Sequence, residues 1–251
     1  MRKPSKPDYT KPNAYRPIAL ESTIGKILES IAAEILSYLS ETYELLPAQH
    51  FGGRPGRTAE DVMTVLSERI YHAWKEREIY SAVFMDVAGA FNNVHHERLM
   101  HNMKQRRIPL SFVKWTESFL EGQSTQLRFN SSIMEAIRTR AGVPQGSPLS
   151  PLLYMFYNGD LLDLPQNCRL SVAQSLGFID DIAYGVQGPT DEENAETLEH
   201  LLHEAELWRS KHGAKFETSK YILVHFTRNN KHRTTSPITV GQVTIQPSHE
   251  A

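Results

Sequence analysis

The sequence lacks the features that mark secreted and membrane proteins. Among its 251 residues it has one cysteine, Cys168, so no disulfide can form within the chain and we expect a reducing, intracellular environment. Its longest apolar runs are a few residues, far short of the roughly 20 that span a bilayer. No secretory leader pattern opens the chain. The sequence therefore predicts a soluble intracellular protein with no membrane partner.

The chain also lacks an excess of charge of either sign. It has 27 Lys and Arg against 29 Asp and Glu, for a formal net charge of −2, so it has no general surplus of cations to bind a polyanion. Basic residues are concentrated locally in residues 1–16, where several prolines favour an extended basic arm over a helix. A hydrophobic content of 40% is ordinary for a folded domain.

Periodicity predicts a mixture of helices and strands. Ser22 or Thr23 can cap a helix, and Thr58 with Asp61 resembles a capping box at the start of a second helix that ends near residue 75. We expect the apolar stripe of the first helix to face the core: Ile24, Ile27, Leu28, Ile31, Ile35 and Leu39. Further helices are predicted at about 94–106, 111–120, 150 onward and 191–206, strands at 81–87, 221–226 and 238–245, and hairpins at 125–140 and 174–186.

Two adjacent carboxylates, Asp180 and Asp181, interrupt the apolar hairpin predicted at 174–186. Two like charges there repel, and burial of an unpaired carboxylate costs several kcal/mol. The pair must therefore lie at a solvent-open turn, take up a proton or hold a cation. Asp86 also ends an apolar strand, and carboxylate oxygens are the ligands that Mg²⁺ prefers. Three carboxylates on neighbouring strand ends would make a two-metal site.

Six motifs in order carry a family resemblance over nearly the whole chain: YRPIAL, FGGRPGRTAED, FMDVAGAFNNV, GVPQGSPLSPLLY, GFIDDIAYGV and KFETSKYILVHF. Together they resemble the reverse transcriptase domain of LINE-like, non-long-terminal-repeat retrotransposons. The resemblance implies that Asp86, Asp180 and Asp181 hold two Mg²⁺ ions, with Mn²⁺ as a substitute. It further implies that these ions activate a primer 3′-OH and bind the triphosphate of a dNTP. Lys220 matches a lysine that is a candidate to protonate the pyrophosphate leaving group.

The resemblance also assigns nucleotide-binding residues. Arg16 corresponds to an arginine that contacts the triphosphate, with a surface salt bridge as the alternative. Phe91 corresponds to an aromatic side chain that excludes ribonucleotides by closing on the sugar 2′ position, with core packing as the alternative. Gln145 and Gly146 correspond to residues that pack on the incoming base pair, with a structural turn as the alternative.

The FGGRPGRT loop supplies the template-binding candidates. Arg54 and Arg57 flank Gly56 in a loop that lies near the template strand in the family, where arginine contacts to phosphate are independent of sequence. A P-loop is excluded because no Gly-Lys-Ser/Thr follows the glycines.

The expected fold class is α+β, a right-hand polymerase domain with an antiparallel palm sheet and helical fingers. We expect fingers at about 1–80 and in part of the segment before 140, a palm at about 81–251, and no thumb. The implied partners are an RNA template, a DNA primer and dNTPs, in the nucleus or an organelle. One alternative is a truncated, inactive remnant that binds nucleic acid weakly. Another is an RNA-dependent RNA polymerase, in which a polar group generally replaces Phe91.

Overall fold

The computed structural model describes residues 1–4, 7–11, 14–16, 18–20, 22–126, 128–129, 132–228 and 234–248. These residues form a mixture of helices and antiparallel sheet, so the α+β prediction is confirmed. The helices are α1 (Thr23–Thr42), α2 (Ala59–Lys75), α3 (His96–Gln105), α4 (Leu110–Leu120), α5 (Ser150–Leu162), α6 (Leu164–Asn167) and α7 (Asp191–His212), with 3₁₀ turns at Ala90–Asn93 and Thr218–Lys220. The strands are β1 (Ile79–Asp86), β2 (Ser124–Thr125), β3 (Arg128–Phe129), β4 (Ser132–Ile133), β5 (Ile137–Arg138), β6 (Ala173–Phe178), β7 (Asp181–Gly188), β8 (Ile222–Phe226), β9 (Ile238–Val240) and β10 (Val243–Ile245).

The main sheet has four strands in the order β6-β7-β1-β8, and all neighbours are antiparallel. The central strand β1 is covered on both faces. Tyr80 and Ala82 join the apolar cluster formed with α2, whereas Val83 and Met85 join the larger cluster formed with α3, α5 and α7. Because side chains alternate between the two faces of a strand, double coverage explains why β1 reads as a continuous apolar run.

Helix α5 passes through the larger cluster, and eleven of its residues are buried. Its N-cap is Leu149 and its first residue is Ser150, in agreement with the helix predicted from 150 onward. The Tyr157 hydroxyl donates to the carbonyl of His212 at 2.6 Å, and the Tyr184 hydroxyl donates to the carbonyl of Leu161 at 2.8 Å. These bonds tie α5 to α7 and to β7, so α5 is a rigid support behind the sheet.

Helix α1 begins as predicted, with the Ser22 hydroxyl accepting from the backbone N–H of Gly25 at 3.1 Å. The prediction that its apolar stripe faces the core is wrong, however, because Ile24 is 74% exposed and Ile31 is 50% exposed. The buried face instead consists of one leucine, two alanines and two polar residues: Leu36, Ala32, Ala33, Glu29 and Ser40. Both faces carry apolar residues at helical spacing, so periodicity alone cannot choose between them.

The lead-in, predicted to be an extended arm, folds back on itself in the residues that the structure describes. Arg2 pairs with Tyr15 as an antiparallel bridge, and the Met1 ammonium donates to the carbonyl of Arg16 at 2.6 Å. Residues 5, 6, 12, 13 and 17 lie outside the described residues.

The other predicted elements are present with small changes. The capping box of Thr58 and Asp61 is formed. In the predicted 125–140 hairpin, β2 pairs with β5 and β3 with β4, while residues 127, 130 and 131 lie outside the described part. Helix α7 extends to His212, beyond the predicted end at residue 206, and its first residue, Asp191, is buried. None of the described helices combines the length and the apolar character that a membrane crossing requires.

Candidate active site

Three carboxylates gather at one end of the main sheet. Asp86 is the last residue of β1 and Asp181 the first of β7, and the two are directly paired in the antiparallel register. Side chains of directly opposed residues lie on the same face, about 5 Å apart at Cβ. Asp180 lies beside them in the loop that joins β6 to β7, because Phe178 pairs with Asp181 and leaves only Ile179 and Asp180 to make the turn.

Asp180 and Asp181 are held in an environment that disfavours their ionised forms. Burial raises the pKa of Asp180, and the charges of Asp181 and Asp86 raise it further, against a lowering effect of Arg16. Burial also raises the pKa of Asp181, as does Asp86, while Lys220 lowers it. A cation placed among these oxygens would relieve both the burial and the mutual repulsion.

Lys220 contributes one positive charge to this cluster. Its ammonium donates to Oδ2 of Asp86, and this hydrogen bond raises the pKa of Lys220. Backbone hydrogen bonds hold the segment before Lys220 against the end of β1. The Ala88 N–H donates to the carbonyl of Lys215 at 2.9 Å, and the Glu217 N–H donates to the carbonyl of Asp86 at 3.1 Å. The 3₁₀ turn Thr218–Lys220 comes directly after this paired segment in the chain.

Aromatic side chains line the site beneath the carboxylates. Phe91 is half-buried and stacks on Tyr154 of α5, with ring centroids 5.3 Å apart and an interplanar angle of 21°. Tyr154 is fully buried, and its hydroxyl has no hydrogen-bond partner among the described residues. Burial raises the pKa of Tyr154 well above its usual range, and the charge of Asp180 adds to this effect. The Tyr154 hydroxyl is therefore a neutral group close to the carboxylates.

The loop before α5 lies alongside Phe91. The Gln145 amide donates to Oδ1 of Asn92 at 3.1 Å, and the carbonyl of Gln145 accepts from the Ala19 N–H at 2.7 Å. Gly146 has φ of +123°, and a Cβ built on it would lie 3.1 Å from the carbonyl oxygen of Ala19. Only glycine is comfortable with that backbone and that contact.

Arg16 lies on the same side of the site as the carboxylates. Its side chain is exposed, and its charge partly opposes the rise in the pKa of Asp180 that burial causes. The structure thus brings together the predicted catalytic and nucleotide-binding residues: Asp86, Asp180, Asp181, Lys220, Arg16, Phe91, Gln145 and Gly146.

Arg54 and Arg57 are placed differently from these residues. Arg54 is buried, and its guanidinium forms a bidentate pair with Glu41, with Nε to Oε1 at 2.6 Å and Nη2 to Oε2 at 2.8 Å. Its remaining donors go to the carbonyls of Pro47 and His50. Contact of Arg54 with a template stays a prediction, and this burial favours a role in shaping the loop.

Arg57 retains a partly exposed guanidinium. It donates to the carbonyls of Ala48 and His50 and lies over the ring of Phe51, with 5.5 Å from its central carbon to the ring centroid. Of the two loop arginines, Arg57 is therefore the better placed to reach an external phosphate.

The three carboxylates fit a metal that is shared with a substrate rather than a closed protein cage. Within the described part of the chain, no group of three His, Cys, Asp or Glu side chains is arranged to hold an ion by itself. Mg²⁺ commonly binds through one or two carboxylates and completes its shell with water and substrate phosphates. Asp180 and Asp181, whose pKa values are raised, lie beside Asp86 and could share a metal ion with substrate phosphates in this way.

The sequence as a whole matches the reverse transcriptase (RNA-dependent DNA polymerase) family over residues 1–243. The chain belongs to the reverse transcriptase family. Members of this family generally use divalent metal ions, which agrees with the carboxylate cluster. The resemblance to LINE-like retrotransposon proteins is also confirmed, because curated relatives of that kind cover almost the whole chain.

Two Drosophila melanogaster proteins illustrate the similarity. The "Probable RNA-directed DNA polymerase from transposon X-element" is 30% identical over 249 residues, which is 99% of this chain and 27% of that protein. The "Probable RNA-directed DNA polymerase from transposon BS" is 31% identical over 256 residues, 99% of this chain and 28% of that protein. This reverse transcriptase chain thus spans little more than a quarter of the length of either relative.

Solved telomerase structures share the fold of this reverse transcriptase. Telomerase from Candida tropicalis, in complex with a fragment of telomeric RNA, superimposes with a TM-score of 0.61 at 9% identity over 91% of this chain and 38% of that one. The Candida albicans enzyme gives 0.57 at 14% identity over 88% and 38% of the two chains. At such low identity the likeness supports the polymerase palm and nothing finer.

Sequence reasoning missed three residues that contact or support the site. These are Tyr154 under the carboxylates, Asn158 on the same helix and His50 in the loop after α1. One signal was available, since an asparagine within the otherwise apolar run of α5 needs buried partners. No sequence pattern could have identified those partners, which come from segments far apart in the chain.

Proposed function

We propose that this chain is the catalytic domain of an RNA-directed DNA polymerase that transfers a nucleotide from a dNTP to a DNA primer 3′-OH along an RNA template. The observation that carries this proposal is the cluster of Asp86, Asp180 and Asp181 at one end of the palm sheet, with two carboxyls of raised pKa. Family membership supports the same reaction.

In this proposal the three carboxylates bind two Mg²⁺ ions, with Mn²⁺ as a substitute. When bound, the ions would lower the pKa of the attacking hydroxyl and neutralise charge on the triphosphate. Lys220 balances the charge of Asp86 before a substrate arrives. It is also the candidate acid for the pyrophosphate leaving group, because its ammonium is a proton donor located at the carboxylates.

The remaining predicted residues orient the nucleotide. Arg16 is exposed beside Asp180, so its guanidinium can bind triphosphate oxygens bidentately. Phe91 presents a ring held by stacking on Tyr154, which suits a barrier against a ribose 2′-OH. Gln145 and Gly146, in the loop beside Phe91, are the candidates to pack on the incoming base pair. Arg57 is the candidate for template phosphate contact.

The test replaces the matched region of the transposon BS relative with these 251 residues and measures primer extension on an RNA template with dNTPs and Mg²⁺. Asp86→Asn and Asp180→Asn should each reduce extension at least about a thousandfold, because metal and electrostatic stabilisation is usually the largest catalytic contribution. Asp160→Asn is the control, since Asp160 is a partly exposed carboxylate paired with Arg106 away from the site. Extension within tenfold of the unmodified chimera in either site variant would remove that residue from the proposed mechanism.

A further inference from the structure

One buried asparagine connects the central helix to the loop that carries Asp180. Asn158 lies in α5 and is fully buried, and its amide nitrogen donates to the carbonyl of Ile179 at 2.7 Å. Ile179 directly precedes Asp180 and has φ of +58°. A β-branched residue rarely adopts this left-handed conformation, so the surrounding structure must hold it there.

Hydrogen-bond chemistry fixes the orientation of the Asn158 amide. The carbonyl of Ile179 can only accept, so the amide nitrogen must face it, and the amide oxygen then faces Nε2 of His50 at 3.3 Å. His50 must therefore carry its proton on Nε2. Burial supports this neutral form, because it lowers the pKa of His50 to about 4.

His50 is itself held against the hairpin. The neighbouring Phe51 N–H donates to the carbonyl of Gly177 at 2.8 Å, and the Gly177 N–H donates to the carbonyl of Gln49 at 3.0 Å. Gly52 follows, and a Cβ built on it would lie 2.6 Å from the backbone nitrogen of Ile179. The loop is thus enclosed between Gly52 on one side and Asn158 on the other.

We propose that Asn158 is a positioning residue that holds the Ile179–Asp180 loop in its strained conformation, and that His50 fixes the amide that does so. The step that links this to catalysis rests on the proposed function, because it assigns Asp180 to the reacting centre. The structural step does not, since it concerns only the hydrogen bond to Ile179 and the backbone of the loop.

The molecule contains a close match to this arrangement elsewhere. Asn102 of α3 is buried, and its amide nitrogen donates to the carbonyls of Phe156 and Tyr157 at 3.3 and 3.0 Å and lies 3.2 Å from Nε2 of His212. Asn102 is thus also a buried amide that donates to backbone carbonyls beside a histidine, although its nitrogen and not its oxygen faces the ring, and its carbonyl partners belong to α5 and not to the loop. Asn102→Leu is the matched control for Asn158→Leu.

Hydrogen exchange of the 251-residue chain tests the structural step without any activity. In Asn158→Leu, amides in a peptide spanning residues 176–183 should exchange at least about tenfold faster than in the unmodified chain, since local opening loses its opposing hydrogen bond. Asn102→Leu should leave that peptide unchanged within about threefold. His50→Leu keeps Asn158 but frees its amide to rotate, so it should give a smaller acceleration of exchange. This variant tests the proposal if Asn158→Leu does not fold. Unchanged exchange of the peptide in the folded variants, or equal acceleration in Asn102→Leu, would overturn the proposal.

Single-nucleotide addition by the chimera tests the catalytic step. Asn158→Leu should lower kcat at least about tenfold with the KM for dNTP changed less than about threefold, because the loop carries a metal-binding carboxylate and not the nucleotide-binding residues. Asn102→Leu should retain kcat within about threefold. If the unmodified chimera adds no nucleotide, the proposed function fails while the exchange experiment still decides the role of Asn158. A normal kcat in Asn158→Leu with accelerated exchange would overturn the catalytic step.

Discussion

Phe91 is a side chain whose position limits what it can do. It is half-buried on Tyr154 with a defined stacking geometry, and its backbone carbonyl accepts from the Val143 N–H at 2.7 Å. Such a ring has little freedom to retreat from a nucleotide sugar. We expect Phe91→Ala in the chimera to raise ribonucleotide incorporation far more than it lowers dNTP use, as measured by the ratio of kcat/KM for the two substrates.

Phe112→Ala provides the control for this substitution. Phe112 is also partly buried and contacts an aromatic ring, that of Trp115, with centroids 5.7 Å apart. It should lose comparable packing without any change in sugar discrimination. An unchanged ratio in Phe91→Ala would identify Phe91 as a core residue only.

The raised pKa of Asp180 predicts that removal of its negative charge stabilises the fold at neutral pH. An acid with a raised pKa in the folded state is most stabilising when protonated, so its ionised form at neutral pH destabilises the fold. Asp180→Asn should therefore raise Tm at pH 7 in EDTA, by about 2–4 °C for each kcal/mol relieved. Asp61→Asn should lower Tm, because Asp61 accepts from the Thr58 N–H at 2.7 Å in the α2 capping box. A lower Tm in Asp180→Asn would contradict this account of the carboxylate cluster.

For helix α1, the sequence predicts the helix correctly but not the face that it buries. Ile31 is 50% exposed, whereas Leu36 is fully buried. Ile31→Lys should change the free energy of unfolding by no more than about 0.5 kcal/mol, and Leu36→Ala should lower it by about 2–5 kcal/mol. Urea unfolding monitored by circular dichroism measures both. A loss above 2 kcal/mol in Ile31→Lys would mean that the stripe is covered after all.

The same contrast explains how much the sequence could predict. Strand ends and an interrupted hairpin indicated Asp86, Asp180 and Asp181, because apolar runs that end on carboxylates are local signals. The burial of Arg54 has no local signal in the sequence. Its partner Glu41 lies on α1, and only packing of that helix against the loop brings the two residues together. The orientation of α1 and the burial of Arg54 therefore depend on tertiary contacts that periodicity does not contain.

At the scale of the whole molecule, two buried histidines couple the fold to pH. Burial lowers the pKa of His50 to about 4 and that of His212 to about 4, against a usual value of 6.5. His50 joins the loop after α1 to α5, and His212 joins α7 to α3, so each lies where separate segments meet. Protonation of His212 at Nε2 would break its contact with the Asn102 amide nitrogen, and protonation of His50 would bury a charge on Nδ1, which has no hydrogen-bond partner among the described residues.

The direction of the pH dependence of stability follows from which state of the chain binds more protons. Between pH 6.5 and about 4 the unfolded chain binds protons at both histidines while the folded chain does not, so stability falls as pH falls by about 1.4 kcal/mol per unit for each histidine. Asp180 and Asp181 act in the opposite direction, because their pKa values are raised from 3.8 and the folded chain therefore binds protons at them more readily than the unfolded chain does. Urea unfolding at intervals from pH 7.5 to 4.5 should show a loss of stability that begins near pH 6.5. His50→Gln and His212→Gln should each make the dependence on pH shallower than in the unmodified chain. A profile that is flat from pH 7.5 to 5, or that is as steep in both core variants as in the unmodified chain, would show that these histidines do not stay neutral in the fold.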